Sequence, residues 1–212
     1  MEDFIPQFIE FHKKAEKLKT TTRHSWLTDS SRQESVAEHS WMLGLFAMIL
    51  ADKLDVKVDL LRVLKIIIVH DLAESVTGDI PSHEISVRRE NKEAEEMKAL
   101  EGIVASLPLD KAQEIIALCE EYQKRETSEA KFAAALDKVE AVMQHNLSDI
   151  STWDQGDFNV HPYYKNQYFD FDPFMREFKD EIDKQSMEKI LEAKAEDRID
   201  QKHIEAYDKN QL

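Results

Sequence analysis

Apolar positions recur at helical spacing along most of the chain. Phe4, Phe8, Phe11, Ala15 and Leu18 predict an amphipathic first helix, ended by Thr20, Thr21 and Thr22, which lose side-chain freedom in helices. A polar connection from Arg23 to Arg32 follows. Ser35 with Glu38 three residues on reads as a capping box, and the apolar run after it predicts a second helix to about Leu54. His39 then stands one turn inside, in line with Leu43, Phe46 and Leu50, and faces the core. A third helix starts near Asp59 and runs into His70 and Asp71. It is apolar on nearly every side toward its end, which predicts a central, buried helix. Gly78 and Pro81 break the chain after Glu74.

The stretch from Ser86 to Leu107 reads as a charged helix with a thin apolar stripe (Met97, Leu100, Val104), and another helix runs from Asp110 to about Lys124. Thr127 or Ser128 caps the next, in which Ala130, Ala133, Ala134, Asp137 and Ala141 form a small-residue face beside the bulk of Phe132, Leu136, Val139 and Met143. Between Trp153 and Phe174 aromatics, aspartates and prolines follow no clean period, which predicts an ordered loop or short helices packed on the body. From Pro173 onward the pattern is helical and highly charged. The expectation is an all-α fold: one helical domain over residues 1–212, with no internal repeat.

Composition agrees. A chain of 212 residues with 4 glycines and 5 prolines fits one helix-rich domain with a sizeable core. Its formal charge of −15 opposes binding to a polynucleotide, but a metal and one or two arginines can reverse the sign locally for a small phosphorylated substrate. The single cysteine, Cys119, excludes an internal disulfide and fits a reducing compartment. The first residues, Met1 to Pro6, carry acids where a signal peptide carries lysine or arginine, and no uncharged apolar run reaches membrane-spanning length. A cytoplasmic protein without a membrane partner is expected.

Candidate chemistry lies in His39, in the pair His70-Asp71 and in Asp137. Two imidazoles and two carboxylates suffice to hold one divalent cation and leave coordination positions open for a hydrolytic water. Singly, each has a plainer explanation: a core histidine is more often a hydrogen-bonded structural residue, and Asp137 stands beside Lys138. Spacing changes the balance. At about 100° per residue Asp71 lies one step round from His70, with Glu74 one turn on and between them, so three ionisable groups share one face of the most apolar helix. From Val69 to Asp79 there is no basic side chain except His70, and a metal is the expected counter-charge.

The chain resembles the HD-domain superfamily of metal-dependent phosphohydrolases, and within it the 5'-deoxynucleotidase branch. The matching text is Arg32 to Ser40, His70 to Pro81, Glu120 to Tyr122, Glu129 to Phe132 and Leu136 to Glu140, and the resemblance covers roughly Leu18 to Leu147. It implies that His39, His70, Asp71 and Asp137 ligate one divalent metal (Mn, Co, Fe, Ni, Zn or Mg), that Glu74 acts on the nucleophilic water, and that Asp79 lies on the substrate side, where protonation of the departing O5' or a sugar contact are alternatives. It also implies that Arg23 binds the phosphate and that the protein is a homodimer. Trp26 could favour deoxyribose by crowding the 2' position. His83 is a minority candidate for a second metal or a substrate contact, while His12, His24, His145, His161 and His203 read as solvated or interface residues.

The expected activity is hydrolysis of deoxynucleoside 5'-monophosphates. The rivals are an HD-type phosphohydrolase or phosphodiesterase acting on another nucleotide or phosphorylated metabolite, and a non-catalytic helical protein that binds metal and nucleotide. A di-metal carboxylate oxidase would need Glu-x-x-His pairs, which the chain lacks.

Overall fold

Side-chain caps set where the helices begin. In the computed structural model, which describes residues 3–81, 91–160 and 162–210, Ser35 Oγ accepts the Glu38 N–H while Glu38 Oε2 accepts the Ser35 N–H, starting α2 (Val36–Leu50). Asp59 caps α3 (Leu60–Val69) by accepting the Leu61 and Arg62 N–H groups, and Thr127 caps α7 (Ser128–Leu147) by accepting the Ala130 N–H. The other helices are α1 (Phe4–Ala15), α4 (Glu74–Thr77), α5 (Lys92–Val104), α6 (Leu109–Lys124), α8 (Gln155–Val160), α9 (Pro173–Glu192) and α10 (Gln201–Asn210).

Two expectations change. Residues 23–32 are more than a connection: β1 (Thr22–Trp26) and β2 (Gln33–Ser35) form a small antiparallel sheet, with Thr22 opposite Ser35, Trp26 opposite Gln33, and an irregularity between. Its turn is closed by Leu27 N–H to Arg32 O and by Ser30 in the left-handed region, φ 54°. The central helix is α7, not α3. α7 buries Ala130, Phe132, Leu136, Val139 and Val142 among others, whereas α3 leaves Leu61 and Ile68 exposed. The small residues of α7 let α2, α3, α6 and α9 approach from several sides.

The main core joins Leu43 and Ala47 of α2, Val63, Ile66 and Ile67 of α3, the α7 residues, and Phe169, Met175 and Ile182. A second cluster packs Leu72, Leu100, Ile103, Val104 and Cys119 against Phe11, Ala15 and Leu18, so only the end of the first apolar stripe is covered and Phe4 and Phe8 stay exposed. A third gathers Trp153, Phe158, Met187 and Ile190.

The described residues of the aromatic stretch therefore form short helices and turns tied to the body. Asp172 holds it there: Oδ1 caps α9 through the N–H groups of Phe174 and Met175, and Oδ2 accepts the N–H groups of Asp55 and Val56 beyond α2. Among the described residues no helix is long and apolar enough to cross a membrane.

Candidate functional site

The crossing of α2, the end of α3 and α7 brings polar atoms to one point in an apolar interior. His39 Nε2 lies 3.2 Å from Asp137 Oδ1 and 4.0 Å from Asp71 Oδ2, and His70 Nε2 lies 3.1 Å from Asp71 Oδ2. His39, His70 and Asp137 each offer a ligand atom within 4.8 Å of the others. All four sequence-predicted ligands thus come together, though not on one continuous helix face. α3 ends at Val69, and the next hydrogen bonds tighten from the i−4 to the i−3 carbonyl (Leu72 to Val69, Glu74 to Asp71, Ser75 to Leu72). This tightened turn sets Asp71 beside His70, and Glu74 restarts the helix as α4.

The orientation of both imidazoles suits a cation. His70 Nδ1 lies 2.7 Å from the Ile67 carbonyl, which only accepts, so Nδ1 donates there and Nε2 is the nitrogen turned to the cluster. Nε2 is buried, makes no hydrogen bond among the described residues, and lies 3.1 Å from Asp71 Oδ2. His39 is oriented likewise but is paired on both sides: Nδ1 is 2.5 Å from Glu140 Oε2, and Nε2 hydrogen-bonds Asp137 Oδ1 at 3.2 Å and lies 4.0 Å from Asp71 Oδ2. Burial and Arg23 oppose its charge, and Glu140 and Asp137 outweigh them and push the imidazole up to about 10. A carboxylate or carbonyl behind each imidazole, with the other nitrogen turned to a shared point, is how metal-bound histidines are held.

Asp137 satisfies both readings of its sequence context. Oδ2 takes the Lys138 ammonium at 2.6 Å and the Tyr122 hydroxyl at 2.5 Å, while Oδ1 is left for the shared point. Against the cost of burial, Lys138, His39 and His70 hold the Asp137 carboxyl well below the usual range.

Basic groups absent from the local sequence arrive from elsewhere in the fold. The Arg23 guanidinium on β1 is 3.5 Å from Asp71, 4.0 Å from Asp137 and 3.7 Å from Glu34, yet it makes no side-chain hydrogen bond among the described residues. Burial opposes its charge, and Asp79, Asp137, Asp71 and Glu140 outweigh that, so its pKa is raised. Lys92 of α5 lies 3.4 Å from Glu74 Oε1 and 3.2 Å from Glu96. Glu74 is 3% exposed, and burial first, then Asp71 and Asp79, push its carboxyl up to about 9, with Lys92 and Arg23 pulling the other way.

Asp79 follows Gly78, whose φ of 72° favours glycine, and its charge reaches Arg23, Glu74 and Lys92. Trp26 lines a cleft with Lys19, Thr20, Thr22, Arg32 and Gln33, none of which belongs to the metal cluster. His83 lies outside the described residues, as does His161. His12 is exposed as expected, but three other histidines are not solvated: His145 and His203 are buried, and His24 is half-buried against Asp157 at 3.0 Å. Their partners lie far away in sequence, beyond the reach of local patterning.

Sequence reasoning gave no role to Glu140, Tyr122 or Lys92. Glu140 had a readable signal, three positions after Asp137 and one turn along the same face. Tyr122 and Lys92 had none.

A helical body closing on buried histidines and aspartates places the chain in a known class. It belongs to the HD domain family, whose model matches residues 15–179, past the Leu147 limit of the motif resemblance and into the aromatic segment and α9. The 5'-deoxynucleotidase hdd1 of Schizosaccharomyces pombe is 40% identical over 133 residues, covering 60% of this chain and 65% of that protein. The Homo sapiens 5'-deoxynucleotidase HDDC2 is 31% identical over 137 residues, covering 64% of this chain and 65% of that protein. The chain therefore matches just under two thirds of the length of these curated relatives. A crystal structure from Magnetospirillum magnetotacticum MS-1, described as a "Predicted metal-dependent phosphohydrolase", is 30% identical with a TM-score of 0.75, covering 89% of this chain and 95% of that one.

Proposed function

We propose that the chain is a metal-dependent 5'-deoxynucleotidase that hydrolyses deoxynucleoside 5'-monophosphates to deoxynucleoside and phosphate. The relatives' names support the substrate class, and one observation carries the chemistry. The Arg23 side chain, with five donors and 12% exposed, lies within 4.0 Å of Asp71 and Asp137, and its buried Nε has no hydrogen-bond partner among the described residues. A phosphate beside the cluster meets both its charge and its planar fork.

His39, His70, Asp71 and Asp137 would hold one divalent cation of the Mn, Co, Fe, Ni, Zn or Mg group. When bound, such an ion lowers the pKa of a coordinated water toward about 7 and offsets charge on a phosphoryl oxygen. Glu74 presents Oε1 to Lys92 and keeps Oε2 buried without a partner among the described residues. Lys92 and Arg23, joined by a bound cation, would favour the ionised carboxylate, whose Oε2 would then take the proton of the attacking water. Arg23 binds the remaining phosphate oxygens. Asp79, past the Gly78 turn, contacts the sugar, and the departing O5' takes back the proton that Glu74 received from the water.

The test joins a metal assay to a phosphate-release panel. The expected result is about one cation per catalytic cluster and cleavage of deoxynucleotides at least ~10-fold faster than ribonucleotides, the lower end of what one unfavourable pocket contact achieves. A metal-loaded protein that releases no phosphate from any monophosphate would sink the reading. Glu74→Ala should retain metal while kcat falls about 10²- to 10⁴-fold; equal loss of metal and activity makes Glu74 a ligand instead.

We also propose a cytoplasmic homodimer. Trp41, Leu45, Met48 and Ile49 form an exposed apolar face of α2, and Phe4, Ile5, Phe8 and Ile9 another on α1, the kind of surface that a partner subunit covers. Light scattering should give twice the chain mass, and Trp41→Glu with Met48→Lys should halve it. The free, buried Cys119 suits a reducing compartment.

A further inference from the structure

We propose that His24, Asp154 and Asp157 form a second divalent-cation site, distinct from the catalytic cluster, that fastens β1 to the segment around α8. His24 Nε2 lies 3.0 Å from Asp157 Oδ2 and 3.5 Å from Asp154 Oδ2, and these three residues bring one ligand atom each within 4.8 Å of one another. Bonds of about 2.0–2.2 Å to a common ion place neighbouring nitrogen and oxygen ligands roughly 3.0–3.5 Å apart. The two contacts fall in that interval, as do the 3.1 and 3.2 Å contacts of the catalytic cluster.

The carboxylates are fixed before any ion arrives. Asp157 N–H donates to Asp154 Oδ1 at 3.0 Å, and Asp154 N–H donates to Asp157 Oδ2 at 2.9 Å, so each backbone orients the other's side chain. Asp157 is 1% exposed, while the Asp154 side chain is 48% exposed and leaves a path for a hydrated ion. His145 supports the site from α7, its Nε2 4.0 Å from Asp157 Oδ1 and its ring 5.7 Å from that of His24.

Charge and ligand type define the occupant. Two carboxylates converge on one imidazole nitrogen in a chain of formal charge −15, so the local field attracts cations. Mixed imidazole and carboxylate donors suit a first-row divalent ion with water in its other positions. The site borrows none of the four catalytic ligands, and His24 directly follows the phosphate-facing Arg23, so the ion would stiffen the strand that presents that arginine.

Cobalt titration of metal-free protein, read by absorbance and by metal analysis after desalting, tests this. Wild-type protein should hold two Co²⁺ per chain, with Asp137→Ala and Asp154→Asn holding one each and the double variant none. His24→Gln, a second route to the same loss, should weaken the second equivalent by more than about 100-fold. One Co²⁺ lost in Asp154→Asn and kept in Asp137→Ala would support this site while removing the catalytic metal. A wild-type stoichiometry of one that Asp154→Asn and His24→Gln leave intact would overturn the proposal, reducing the cluster to an imidazolium–carboxylate pair.

Discussion

His39 Nδ1 and Glu140 Oε2 lie 2.5 Å apart in the interior, with the histidine 0% and the glutamate 1% exposed. The contact fixes which imidazole nitrogen faces Asp137 and Asp71. A residue outside the ligand set thus decides whether one of the ligands can bind.

Glu140→Gln should therefore lower metal affinity about 10- to 100-fold, the usual effect of losing the partner behind a ligating histidine. The amide still accepts from Nδ1 but no longer raises the ring's basicity. Competition with a chromogenic chelator measures the shift, and unchanged affinity would separate Glu140 from the metal centre.

Lys92→Met removes a positive charge that holds the Glu74 carboxyl down. The glutamate becomes harder to ionise, so the acidic limb of the kcat/KM profile should move to higher pH, and activity near neutrality should fall up to ~10²-fold. A profile that scales down without moving would assign Lys92 to substrate binding.

The capping box gives an acid-dependent stability. Arg32 first, with the Ser35 N–H and hydroxyl, lowers the Glu38 carboxyl from the ordinary glutamate range to about 2. A depressed carboxylate stabilises the fold above its unfolded pKa and loses that contribution as pH falls through the folded value. Glu38→Gln should destabilise at pH 7, and the gap from wild type should close between about pH 4.5 and 2. Ser35→Ala should cost about 1 kcal/mol at neutral pH. Urea denaturation at both ends of the range checks both variants.

Lys179 is wholly buried and paired with Asp183, which also accepts the Tyr163 N–H, while Asn166 Oδ1 takes Lys179 Nζ at 3.0 Å. Burial lowers the lysine's pKa and raises that of the aspartate. Lys179→Ala should cost roughly 3–5 kcal/mol because it strands a buried acid. A loss under ~1 kcal/mol would show that the acid is protonated or re-solvated at little cost.

Chelation should lower the melting temperature, since the bound ion stabilises only the folded state and its removal leaves the buried Asp71 and Asp137 carboxylates repelling each other. Differential scanning calorimetry with and without EDTA measures this, and Asp137→Ala should abolish the difference at that centre.

Local chemistry was legible where it acts over a few residues. Ser35 with Glu38 announced α2, Asp59 and Thr127 marked two more helix starts, and the run from Val69 to Asp71 located the cluster. What depends on distant partners was not. Arg23 and Lys92 supply positive charge from other elements, and His145 is buried beside Asp157 and Trp153, which lie further along the chain. The prominence of α3 misled because its apolar residues include Leu61 and Ile68, which other parts of this chain leave uncovered. The hairpin escaped because its residues are polar and its strands short.

Asp172 is simultaneously the start of α9 and the acceptor for two amides beyond α2. Truncating the protein near residue 150 would therefore strip the body of a clasp as well as a tail. The shortened product should aggregate or melt non-cooperatively rather than survive as an autonomous minimal enzyme.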